Sequence, residues 1–128
     1  RKRILEILGR PNIASKEWLI RQYDHEVQGM SVVKPLQTPS PGMTSPNDAG
    51  VIKPKSNSWL GLAVGCGLNP KLSEFDAYLM AQSSVDEALR NVLCVGAEYG
   101  TEDSIVSMCD NFCWPDPIGD SAKTAALV

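Results

Sequence analysis

The run Gly61–Glu98, GLAVGCGLNPKLSEFDAYLMAQSSVDEALRNVLCVGAE, decides the fold class. It begins inside a β-type apolar stretch, Trp59–Val64, and passes through a glycine-rich turn, Gly65-Cys66-Gly67-Leu68-Asn69-Pro70. The strongest helical pattern in the chain follows, from Ser73 or Asp76 to Val95. There Leu79, Ser83, Val85, Leu89, Val92 and Leu93 form a broad apolar or small face, with Asp86, Glu87 and Arg90 mostly opposite. Gly96 is placed to end the helix. A strand handing over directly to a long amphipathic helix predicts an α/β or α+β layout, a small mixed sheet backed by helices.

Upstream, Ala49–Lys53 is a second β-type run, separated from Trp59–Val64 by Lys55-Ser56-Asn57-Ser58, so the two predict a hairpin. Val32–Val33 reads as a short extended piece. Between them Thr38–Asp48, TPSPGMTSPND, holds three prolines, a glycine and four hydroxyl residues. Proline removes backbone donors and biases its predecessor toward extended backbone, which predicts a surface loop over 38–48. Nearer the start, Ile4, Leu5, Ile7 and Leu8 have helical spacing, closed by Gly9 and Pro11. A second helix is expected from Ser15 to Gly29, with the Ser15 hydroxyl as cap. The organisation expected is therefore a helical lead-in over 1–29 and a partial domain over 30–128. Downstream, Ser104–Cys109 reads as a short buried strand delivering Asp110, and Asp120–Val128 as the first turns of a helix.

The chain has 128 residues and a formal net charge of −3, with acids and bases scattered. That distribution argues against nucleic-acid binding through a basic patch. No apolar run approaches the ~20 residues of a membrane-spanning helix. A chain of this size is expected to bury roughly two thirds of its unfolded surface. It opens on Arg-Lys-Arg-Ile without an initiator Met, as expected of a piece of a longer protein. Four cysteines (Cys66, Cys94, Cys109, Cys113) sit among apolar residues without a CxxC pair, and the lone His25 is distant in sequence. This pattern does not make a zinc site. It reads as buried free thiols in a reducing compartment.

Several residues invite chemistry. Asp110, directly after a strand-like run, could hold Mg²⁺ or accept from an adenine or ribose group, or could close an Asx turn. Gly61, Gly65 and Gly67 hint at a nucleotide loop but match neither GxGxxG nor GxxxxGK[ST]; close backbone approach explains them as well. Arg21, Tyr23, Asp24 and His25 crowd five positions near the end of the expected second helix. His25 is a candidate acid or base, although neighbouring helical residues point about 100° apart, so Asp24 would not orient it. Arg90-Asn91 could reach a phosphate or lie on an ordinary solvated face.

Taken together, PNIASKEWLIRQYDHEVQG (11–29), SPNDAGVIKP (45–54), the 61–98 run and DNFCWPDP (110–117) resemble the second synthetase-like half of the phosphoribosylformylglycinamidine synthase family. The pieces occur in the family's order and cover nearly the whole chain, apart from the 38–46 stretch. The PNIASKEW…RQYDH block sets the chain apart from aminoimidazole ribonucleotide, selenophosphate and hydrogenase-maturation synthetases. The resemblance implies two homologous halves packed as a pseudo-dimer, each with an aminoimidazole ribonucleotide synthetase N-terminal-like domain. It implies a cytoplasmic enzyme of purine biosynthesis that uses ATP and Mg²⁺. The reaction would be amidation of formylglycinamide ribonucleotide, with ammonia from a glutaminase domain or subunit and an iminophosphate as intermediate.

The resemblance also carries departures. The family's first half has a Glu-Ser-His-Asn-His-Pro motif supplying a metal-binding glutamate and a catalytic histidine. Aligned on Pro70, the glutamate position here is Gly65 and the second histidine position is Asn69; an aspartate of the first half's long helix is matched by Asn91. This implies a degenerate half with no catalytic and no metal residues of its own. Asp110 occupies the position of an ATP-contacting aspartate, although the Gly-Asn-Pro that follows in the family reads Pro115-Asp116-Pro117. Tyr23 and His25 lie near where the first half has a nucleotide-site tyrosine and histidine. The phosphate loop of this half would lie beyond Val128. The alternative is a scaffold or pseudo-dimer module with no ligand. In either case an isolated piece would expose its sheet face and self-associate.

Overall fold

The computed structural model of the chain describes all residues except 23–24, 41–42, 112–113 and 115, and the side chains of 38–40. Among the described residues four helices and five strands follow in the order α1 (Lys2–Leu8), α2 (Glu17–Ile20), β1 (Ser31–Val33), β2 (Leu36–Ser40), β3 (Met43–Pro46), β4 (Ala49–Ile52), β5 (Leu62–Gly65), α3 (Ala77–Cys94) and α4 (Ser121–Leu127). One sheet has the order β1-β4-β5; β2 and β3 form a separate two-stranded ribbon. Every ladder is antiparallel, so the sheet is not mixed as expected. The physical reason is connectivity: paired strands are joined by a hairpin or by the ribbon, and no crossover helix intervenes.

The hairpin and the long helix form where the pattern placed them. In the hairpin Ala49 faces Gly65, Gly50 faces Val64, Val51 faces Ala63 and Ile52 faces Leu62. Strand alternation puts Ala49, Val51, Ala63 and Gly65 on one face, the one covered by α3. Ala49, 6% exposed, is the buried centre of that contact. The opposite face carries Ile52, Leu62 and Val64, all exposed. Asp76 caps α3, its carboxylate accepting from the Leu79 amide at 2.9 Å. Gly96, at φ +92°, ends it as the left-handed residue that a helix terminus favours.

Four expectations are corrected. The second helix spans only Glu17–Ile20, with a 3₁₀ turn at Val27–Gly29. Ser15 accepts from the Glu17 amide (3.2 Å), but Lys16 is the capping residue. Leu36–Ser40 and Met43–Pro46 form the β2–β3 ribbon where composition predicted a loop: extended backbone is what proline imposes, and a second extended arm lies within reach to pair with it. Ser104–Cys109 is not a buried strand. No strand pairs with it among the described residues, and Ile105 is 93% exposed. Cys66, Cys94 and Cys109 are exposed rather than buried; Cys113 lies outside the described residues.

The chain presents 10931 Å² of accessible surface. A globular protein of its mass would present about 6,700 Å², so it buries a little under half of its unfolded surface instead of two thirds. The shortfall is apolar. Trp18, Trp59, Phe75, Tyr78 and Ile118 are all exposed, Trp59 to 98% with the Lys53 ammonium 4.9 Å from its ring centre.

Candidate functional site

The end of β5 carries a cluster of polar contacts with α3. After Gly65 the backbone turns and lies directly on α3. A Cβ on Gly65 would sit 2.9 Å from Val92 Cγ1 and 3.2 Å from Asn91 Cβ, and one on Gly67 would collide with the Ser84 carbonyl oxygen. Only glycine allows this approach, so the glycine pattern serves packing of the loop on the helix.

Polar side chains of α3 then hold the loop. Asn91 Nδ2 donates to the Cys66 carbonyl oxygen at 2.8 Å. The Leu68 amide donates to Glu87 Oε2 at 3.0 Å, and Asn69 Nδ2 donates to the same oxygen at 2.9 Å. Asn69 Nδ2 also reaches Ser83 Oγ at 3.1 Å. Glu87 was expected on the solvated side of the helix. The signal that would have found it is the stripe Ser83, Glu87, Asn91, polar at every fourth position beside small Ser84 and Ala88. Gly65 and Asn91, far apart in sequence, are thus direct neighbours.

Asp110 follows the exposed 105–109 segment and is itself exposed. An Asx-type turn follows at Asp116, whose Oδ1 accepts from the Ile118 amide at 2.9 Å; the one considered for Asp110 would involve residue 112, outside the described residues. Trp114 Nε1 donates to the Lys123 carbonyl at 3.1 Å, tying the motif to α4. Asp120 caps that helix, accepting from the Ala122 and Lys123 amides, each at 3.1 Å, and pairing with the Lys123 ammonium. The Lys123 amide, followed by its side chain, holds the Asp120 carboxyl below the usual aspartate range.

His25 is half-buried and borders a cleft of about 470 Å³ with Val27, Met30, Ser31 and Ile52. Its Nε2 lies 3.7 Å from Glu26 Oε1, which also meets the Lys34 ammonium at 3.1 Å. Hydrogen bonding from Lys34 comes first among the influences that lower the Glu26 carboxyl. Tyr23 lies outside the described residues. No hydrogen bond or ion pair among the described residues joins His25 to Asp110, and Asp110 does not line the His25 cleft. Arg90 is held at 2.7 Å by Asp86 on its own helix, an ordinary surface pair.

No group of three or more His, Cys, Asp or Glu among the described residues is arranged to hold a metal. No helix among them is long and apolar enough to cross a membrane.

Comparison with known proteins agrees with the motif resemblance. The chain is 41% identical over 97 residues, 76% of its length, to the phosphoribosylformylglycinamidine synthase subunit PurL of Picrophilus torridus. It is 37% identical over 113 residues, 88% of its length, to the subunit of the same name from Streptomyces coelicolor. For that of Thermococcus sibiricus the figures are 45% over 94 residues and 73%. The chain is a homologue of PurL. It spans only 12 to 13% of the length of these PurL relatives. No family model matches the chain, and no solved structure matches it.

Proposed function

We propose that this chain contributes to the ATP-dependent amidation of formylglycinamide ribonucleotide as the degenerate half of a PurL-type synthetase, with an aminoimidazole ribonucleotide synthetase-like domain. The observation that carries this reading is the contact between Gly65 and Asn91. Under the family alignment these positions hold a glutamate and an aspartate in the catalytic half, where two carboxylates this close would share a metal. Here one is absent and the other is an uncharged amide already donating to a backbone carbonyl. That pair offers a cation no charge, and the Gly65 position has no room for a side chain.

The chain's role is then to buttress the catalytic half and to contribute to a nucleotide contact through Asp110, with Mg²⁺ supplied to that nucleotide from elsewhere. Exposed Asp110 can accept from a ribose or adenine group, and Tyr23 and His25 are the further candidates for a nucleotide contact. The piece alone is inactive; the partners are the homologous half and a glutaminase, in the cytoplasm. The scaffold alternative is favoured by one observation: among the described residues, the 104–111 segment that carries Asp110 is not a strand. Calorimetry of Mg²⁺-ATP and Mg²⁺-ADP binding to a full-length synthase carrying this segment separates the two. The proposal predicts that Asp110→Ala removes one class of nucleotide site. Unchanged stoichiometry and affinity would leave the segment as scaffold only.

A further inference from the structure

The glycine-rich loop Gly65–Asn69 has the look of a phosphate loop, and the geometry points to another use. We infer that Glu87 is a positioning residue that locks this loop shut on α3, making a strand-to-helix joint that is closed without any ligand and takes no phosphate.

Three independent contacts support the lock. The first is steric: Gly67 is pressed against the α3 backbone at Ser84, so the loop cannot approach further and can only lift away. The second is convergent: the Leu68 amide and the Asn69 side chain both donate to one oxygen of Glu87, at 3.0 and 2.9 Å. These are the kinds of donors an incoming phosphate would need, and a carboxylate of the protein already occupies them. The third is at the far end of the loop, where Asn91 holds the Cys66 carbonyl. The loop is therefore fastened on both sides of Gly67 by side chains about one helical turn apart. A phosphate would have to displace Glu87 and meet its negative charge. The inference goes beyond the proposed function and stands whether or not Asp110 contacts a nucleotide.

Amide hydrogen exchange on the chain, read at Leu68, tests it with inorganic phosphate and then Mg²⁺-ADP as probes. In the wild type the Leu68 amide should be protected and should not change with either probe at tens of millimolar. In Glu87→Ala its protection should fall about tenfold or more, the worth of one hydrogen bond to a charged group. Amides in the middle of α3 should keep theirs, which separates local release from unfolding. Glu87→Gln keeps the shape and an acceptor oxygen and should lie between the two. The inference is overturned by an unprotected Leu68 in the wild type. It is overturned equally by a wild-type Leu68 that responds to phosphate or Mg²⁺-ADP, or by Glu87→Ala leaving its protection unchanged.

Discussion

At Gly67 the space for a side chain is taken by the backbone of the facing helix, and a backbone carbonyl cannot rotate aside as a side chain can. Gly67→Ala should therefore cost about 1–3 kcal/mol of unfolding free energy, the usual range for forced overpacking, measured by urea denaturation. Little or no loss would mean that the loop does not touch α3. The neighbouring residues explain what was legible at this scale. Both roles for the glycines, close approach and phosphate loop, were open from spacing alone, because spacing cannot say what lies across from a glycine. Glu87 was misplaced because its helical position lies at the border of the apolar face. Only the docked loop gives it a partner. Asp110 keeps its place as a candidate, yet the rigid strand expected to present it is missing.

Helix ends account for much of what the elements show. Asp76 and Asp120 each stand before a helix and accept from its first free amides, as their side-chain type favours. Asp76→Ala should lower stability by about 1 kcal/mol, seen as a drop in the melting temperature of the helical circular dichroism signal. The cap of α4 is pH-dependent with a definite sign. Its carboxyl is held below the ordinary aspartate value, so the contribution is present above that value and is lost as pH falls through the lowered one. Acid titration followed by nuclear magnetic resonance should show Ala122 and Lys123 amides shifting together below the ordinary aspartate range, and Asp120→Asn should abolish that titration. Amides that do not move would mean the cap is not formed. The hairpin and α3 were legible because alternation, turn residues and helical periodicity agree there. The 104–109 run has strand composition, but a strand also needs a neighbour to pair with, and composition carries no information about neighbours. Residues 36–40 and 43–46 failed in the opposite sense: proline-rich backbone is extended, and two extended arms near each other in sequence can pair.

At the scale of the whole molecule the dominant fact is surface. Accessible area exceeds the expectation for the mass by thousands of Å², and Ile52, Leu62 and Val64 line an exposed apolar sheet face. The chain should therefore self-associate through that face. Sedimentation should show an average mass that rises with concentration, and Val64→Glu should suppress the rise by placing a charge in the apolar patch. A wild-type monomer across a wide concentration range would contradict this. The same openness explains why the fold class was readable but the extent of the core was not. Periodicity identifies the faces of elements, whereas burial depends on what packs against them. The most direct test of the degenerate strand end is the ammonia-dependent turnover of a full-length PurL-type synthase with Asn91→Ala in this segment. The account predicts a modest loss of stability, about 1 kcal/mol for one hydrogen bond, with turnover within about twofold of wild type. A fall in turnover of about a hundredfold or more in a folded variant would show that this strand end takes part in the chemistry, and would contradict the account.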